Sequence, residues 1–296
     1  MNVDTPTSAE KRLVNRLFER LPPTTRGHVV AFIGEFAGTF FFLFFAFSGA
    51  QTSNVASNPN AGGKVTTKAI QATPSQLLYT ALAFGFSLAV NVWVYFRISG
   101  GLFNPAVTLG MVLIRAISVF RGILLFIAQM VGAIVAAFVV QALFTGKLNV
   151  STSLSPTTTI AQGVIIEMLL TSQLVFTIFM LAAEKHVGNF IAPLGIGLSL
   201  FIAELTGVFW TGGSLNPARS FAPQVALHSF TTEQWVYWVG PLAGSCLAVG
   251  LYALIKALEY HTANPDPEIA GPTGGGPGIV DAVNGVKRED NVKRAD

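Results

Sequence analysis

The sequence predicts an all-α membrane protein: six transmembrane helices plus two re-entrant half-helices, arranged as an inverted internal repeat. Three observations carry this. The 296 residues are 51% hydrophobic and only 11% charged, with a mean hydropathy of +0.57, whereas soluble domains carry about 25% charged residues. Six apolar runs are long enough to span a bilayer, which takes ~20 residues each. One short polar stretch also occurs twice between those runs. It reads Ser99-Gly-Gly-Leu-Phe-Asn-Pro-Ala-Val-Thr-Leu109 and then Thr211-Gly-Gly-Ser-Leu-Asn-Pro-Ala-Arg-Ser-Phe221.

Residues 1–28 are polar and basic, with Lys11, Arg12, Arg16, Arg20 and Arg26, and do not read as a signal peptide. They are expected to form a cytosolic tail, with the first apolar run inserting as an uncleaved segment. The runs are 29–50, 77–97, 121–144, 160–183, 190–210 and 235–258. A channel domain is therefore expected over 29–260, with one repeat at about 29–144 and the other at about 160–260. The link 145–159 holds Asn149-Val-Ser151, an N-glycosylation sequon. Residues 261–296 combine Gly-Pro-rich sequence with a mixed charge run and are expected to be a disordered cytosolic tail.

Charge sets the expected orientation. Arg97, Arg115, Arg121 and Lys185 fall in the even-numbered loops, and basic residues also fill both tails. The odd-numbered loops hold only Lys64, Lys68 and Lys147 besides Arg219. The positive-inside rule then puts both termini in the cytosol and Asn149 outside. A net charge of +3 gives no case for nucleic acid. The single cysteine, Cys246, permits no intramolecular disulfide and reads as a buried small hydrophobe. His28, His186, His228 and His261 lack metal-ligand spacing, and no catalytic triad or phosphate loop appears. No cofactor, metal or enzyme activity is expected.

The repeated stretch has specific local physics. Asn is a strong N-cap, and Pro suits the first helical position, where its missing N–H would be unpaired anyway. Asn104-Pro105-Ala106 and Asn216-Pro217-Ala218 thus each start a helix. About ten residues at ~1.5 Å give ~15 Å, half of a ~30 Å hydrocarbon core. Two such half-helices entering from opposite faces would meet at the centre, each presenting roughly +0.5 of a charge. Irregular backbone at that depth is tolerated where it lines a water-filled cavity, so the stretch predicts a pore.

The halves match further. Gly85-Phe-Ser-Leu88 precedes Asn104 as Gly197-Leu-Ser-Leu200 precedes Asn216. Gly132 and Gly244 follow at equal distance, and Glu35-x-x-x-Thr39 pairs with Glu167-x-x-x-Thr171. Three spans per half is odd, so the halves lie inverted, with the functional site at their interface. Four ionisable residues fall deep in the apolar segments: Glu35, Glu167, Glu204 and Arg219. Such residues are functional candidates by default. An asparagine whose side-chain oxygen caps its helix keeps N–H donors for the pore. Water accepting from them would turn its hydrogens toward carbonyls of 99–103 and 211–215, breaking a proton-relay chain.

The two triplets, with Arg219-Ser220 after the second, resemble the aquaporin (major intrinsic protein) family, in its fungal type, over roughly 29 to 260. That resemblance implies a passive water channel embedded in the lipid bilayer, assembled as a homotetramer with one pore per subunit. It implies that Glu35 and Glu167 accept hydrogen bonds from the re-entrant loops, and that Arg219 and Phe84 wall the outer constriction. The third wall departs from the pattern: Glu204 stands where water-selective members have His. The fourth is Gly213, which would leave extra room, and Glu204 could pair with Arg219. Ser220 and Tyr237-Trp238 fit water rather than glycerol channels; Gln224 has no firm reading. The alternative is a channel for other small neutral solutes, such as glycerol, hydrogen peroxide, ammonia or carbon dioxide. A secondary transporter and a closed scaffold protein are further rivals. The sequon fits the secretory route and a plasma-membrane location.

Overall fold

The computed structural model describes residues 21–56, 72–184 and 187–263. The first 20 residues, His186 and the tail beyond 263 lie outside the described residues. In order, the helices are α1 (Pro23–Ala56), α2 (Pro74–Tyr95), the short α3 (Pro105–Leu113) and α4 (Val119–Leu143). The second half holds α5 (Ile160–Ile178), α6 (Ala192–Thr211), the short α7 (Pro217–Ala226), α8 (Val236–Ala257) and a final turn, α9 (Tyr260–Ala263). A π-turn, Phe179–Ala183, extends α5. Among the described residues, six helices are long and apolar enough to cross a membrane. Their outward faces carry large apolar side chains such as Phe45, Phe86, Trp93 and Leu143, the surface that hydrocarbon would cover.

Helix starts follow local capping chemistry. The side chains of Thr73, Ser118 and Thr159 each accept a backbone N–H at the start of α2, α4 and α5, and Thr159 forms a full capping box with Gln162. Helix α1 is longer than its 29–50 apolar run. Hydropathy marks the hydrocarbon-matched part, whereas the helix continues through Thr24-Thr25-Arg26 and Gln51-Thr-Ser-Asn54, where no breaker intervenes.

The two halves share one packing plan. Helix α1 packs on α2 and α4 as α5 packs on α6 and α8, and α2 meets α6 across the interface. The half-helices are exchanged: α3 lies against α8, and α7 lies against α4. Small residues allow these crossings. A β-carbon on Gly85 would approach the Gly197 carbonyl to 3.0 Å, and one on Gly244 would come within 2.9 Å of the Thr171 side chain. Cys246 is exposed on α8, so the expectation of a buried cysteine is corrected. Its neighbours Gly244 and Ser245 take the inward face of α8, which turns Cys246 outward to where lipid would supply the apolar surroundings.

Glu184, just past α5, is clipped to α8. It accepts a 2.9 Å hydrogen bond from Lys256 Nζ and another from the Tyr252 hydroxyl. Burial pushes its carboxyl up, but these two bonds outweigh that and hold it below the ordinary glutamate range. The clip therefore stabilises the fold above that range and is lost as pH falls through the lowered folded value.

Two outcomes follow. Gly197→Val should overpack the α2–α6 crossing, costing about 1–3 kcal/mol and lowering the thermal midpoint in detergent by several degrees. Glu184→Gln should lower the midpoint slightly at neutral pH, by less than about 1 kcal/mol of stability. That difference should shrink as pH falls below the ordinary carboxyl range.

Candidate functional site

The site is built where the N-termini of α3 and α7 meet. The Asn104 side-chain oxygen accepts from Ala106 N at 2.8 Å, and that of Asn216 accepts from Ala218 N at 3.0 Å and Arg219 N at 3.3 Å. Each asparagine amide then reaches across. Asn104 Nδ2 donates to the Leu215 carbonyl at 2.8 Å, and Asn216 Nδ2 donates to the Phe103 carbonyl at 2.8 Å. An amide nitrogen carries two N–H groups, so one donor on each asparagine remains for the central cavity that both residues line.

The loops feeding the caps are strained in matching ways. Gly100, Gly101, Gly212 and Gly213 have positive φ, and so do Phe103 (φ 50°) and Leu215 (φ 52°). A left-handed L-residue costs roughly 1–2 kcal/mol. Two buried acids offset it. Glu35 Oε1 accepts from Phe103 N at 2.5 Å and from Gln129 Nε2 at 2.7 Å. Glu167 accepts from Ser214 N at 3.0 Å, Leu215 N at 2.8 Å and the Thr211 hydroxyl at 2.6 Å. Gln129 continues to the Thr108 hydroxyl on α3 at 2.7 Å. Its signal was available as an amide in the middle of the 121–144 apolar run, whose other amide, Gln141, lies near its end.

Three cavities lie end to end. A central one of about 20 Å³ is lined by Phe84, Leu200, Asn104, Asn216 and Arg219 among others. Through Arg219 it adjoins a cavity of about 620 Å³ on the face of the 145–159 loop, lined by Asn149, Val208 and Gly212. At its other end Gly101, Leu102, Ile178 and Ile196 are shared with a cavity of about 120 Å³. Holding a water takes about 10–15 Å³ on this measure, so the central cavity admits water-sized molecules about one at a time.

Arg219 stands at the junction of the central and large cavities. Its guanidinium carbon is 4.7 Å from the Phe84 ring centre and 5.6 Å from that of Phe47. Nη1 donates to the Val150 carbonyl at 2.7 Å, and Nη2 to the Gly212 carbonyl at 3.4 Å. Val150 belongs to the loop that Gln51 and Asn54 of α1 hold by its backbone. No sequence motif marks Phe47 or this loop carbonyl. Among the described residues the ion pair is Lys256–Glu184, so the expected Glu204–Arg219 pair does not form. Glu204 is fully buried and turned onto Gly213, where a β-carbon would collide with its carboxylate. The room that Gly213 leaves is thus filled by Glu204. Gln224, buried in α7, exchanges 3.4 Å hydrogen bonds with Thr231 and ties that half-helix to the following loop.

Glu167→Gln puts an amide where three donors converge. Leaving buried donors unpaired costs about 1–3 kcal/mol each, so the variant should lose most of its permeation and several degrees of thermal midpoint. Solute flux and unfolding of the purified protein measure both.

The Major intrinsic protein family matches residues 24–252. The chain is 61% identical over 241 residues to Aquaporin-7 of Botryotinia fuckeliana, covering 81% of this chain and 52% of that protein. It is 56% identical over 240 residues to Probable aquaporin-5 of Gibberella zeae, covering 81% and 44%. It thus spans about half the length of these curated relatives. The aquaglyceroporin from Plasmodium falciparum has the same fold, with a TM-score of 0.65, 21% identity and coverage of 79% of this chain and 99% of that one. With the family matched over most of its length and its paired asparagine caps at the pore centre, the chain belongs to the major intrinsic protein family, the aquaporin channels, which are transporters rather than enzymes.

Proposed function

We propose that this chain is a passive water channel, moving water down osmotic gradients while excluding protons and ions. The observation that carries this is the central cavity. It has room for about one water at a time, and the amides of Asn104 and Asn216 line it. A water accepting from both amides has its hydrogens turned away from its neighbours, which interrupts a proton relay. The N-termini of α3 and α7 add positive potential against cations.

The selectivity filter is Phe84, Glu204, Gly213 and Arg219. Glu35 and Glu167 are structural acids that hold the re-entrant loops. The working assembly is a homotetramer in the plasma membrane with both termini cytosolic, in line with the basic tails. Asn149 is then extracellular and open to N-glycosylation. A second reading, permeation of other small neutral solutes, is favoured by one observation: Glu204, where the family's water channels carry an imidazole, turns onto Gly213 and leaves Arg219 without an ion-pair partner among the described residues. The fold shared with an aquaglyceroporin is compatible with it.

Stopped-flow light scattering on proteoliposomes tests both readings. Sucrose and glycerol gradients should each give fast shrinkage, without glycerol re-swelling. Fast re-swelling would favour the second reading. Leu200→Trp, which fills the central cavity from α6, should reduce the rate to that of empty liposomes while the variant still folds.

A further inference from the structure

We propose that Gln51 is a positioning residue for Arg219 and so sets the size limit of the constriction, acting through the loop backbone at Asn149 and Val150. The inference rests on the channel reading above and adds a specificity-determining residue to it. Gln51 is buried near the end of α1 and lines none of the three cavities. Its amide brackets the 145–159 loop. Oε1 accepts from Asn149 N at 2.8 Å, and Nε2 donates to the Lys147 carbonyl at 3.2 Å and the Thr145 carbonyl at 3.3 Å. Asn54, three residues on and so on the same helix face, donates to the Asn149 carbonyl and accepts from Gln76 of α2. Asn149 is thus held at its N–H by Gln51 and at its carbonyl by Asn54.

The next carbonyl along, that of Val150, accepts from Arg219 Nη1 at 2.7 Å. Adjacent α-carbons are a fixed distance of about 3.8 Å apart, so pinning Asn149 also places this acceptor. The second acceptor, the Gly212 carbonyl at 3.4 Å from Nη2, lies against the same loop. A β-carbon on Gly212 would come within 2.8 Å of Thr152 Cα, and Ser155 N donates to the Trp210 carbonyl at 2.9 Å. Phe47, one turn before Gln51 on α1, has its ring centre 5.6 Å from the guanidinium carbon. Helix α1 therefore supplies both a wall beside Arg219 and the clamp on the loop that holds it.

The clamp calls for a primary amide. Buried loop backbone must have its N–H and C=O groups paired. Gln51 meets one N–H and two carbonyls at once, whereas a carboxylate would lack the donors and an ammonium the acceptor.

Water and glycerol permeabilities of the full chain in proteoliposomes test this with Gln51→Met, which keeps the length of the side chain but offers no N–H and only a weak acceptor. The glycerol-to-water ratio should rise about fivefold, the order expected for one lost hydrogen bond, because the loosened guanidinium no longer closes the junction. Ser53→Ala should leave the ratio unchanged, since that neighbour bonds the Gln76 carbonyl at 3.2 Å and not the loop. Asn54→Ala, which serves if the Met variant fails to assemble, should raise the ratio in the same direction. An unchanged or lowered ratio, including a proportional fall of both fluxes, marks a purely structural role and overturns the proposal. So does an equal rise in Ser53→Ala. A wild type that passes glycerol fast overturns the water reading but not the role of Gln51, which the ratio still measures. A wild type with no flux of either overturns the channel reading and this proposal with it.

Discussion

The structure depends on a reciprocal clasp between two asparagines. Each caps its own half-helix with the side-chain oxygen and donates to the loop carbonyl that precedes the other half-helix. The clasp satisfies backbone groups that no water reaches in hydrocarbon. It also fixes where the two positive helix ends meet, and it turns one remaining donor of each amide toward the cavity. Closure of the fold and lining of the pore are thus done by the same atoms. The buried acids, the glycine pairs and the left-handed Phe103 and Leu215 hold the two loops in the shape that the clasp requires.

This arrangement separates two kinds of buried charge. Glu167 accepts through both oxygens and Glu35 through Oε1, all from protein backbone and side chains. Both Glu204 oxygens and Arg219 Nε lack a hydrogen-bond partner among the described residues, and Arg219 lines the central cavity. Glu35 and Glu167 cross-link the re-entrant loops, whereas Arg219 faces the cavities. Gly213 makes room for Glu204, because any side chain there would displace its carboxylate.

What could be read from the chain was whatever chemistry is local. Asn-Pro at a helix start, a glycine pair before it and an acid four residues before a threonine act over a few residues, and their duplication exposed the repeat. Hydropathy located the six spans, but not the true length of α1, because helices continue past the hydrocarbon into polar sequence. Long-range geometry was not legible. Nothing in the sequence says that Arg219 bonds the Val150 carbonyl, that Glu204 turns onto Gly213 instead of pairing with Arg219, or that Cys246 faces outward. Each depends on side-chain directions fixed only after the helices pack.

The exchange of half-helices has a consequence for synthesis. Helix α3 leans on α8, whose first residue is more than a hundred positions later in the chain. At about 5–20 residues per second, the ribosome takes on the order of ten seconds to supply that partner. Until then Asn104 has no Leu215 carbonyl to hold, and the first re-entrant loop has no stable place in the bilayer core. The first half of the nascent chain must therefore wait, sheltered by the insertion machinery or held near the membrane surface, until its inverted twin arrives.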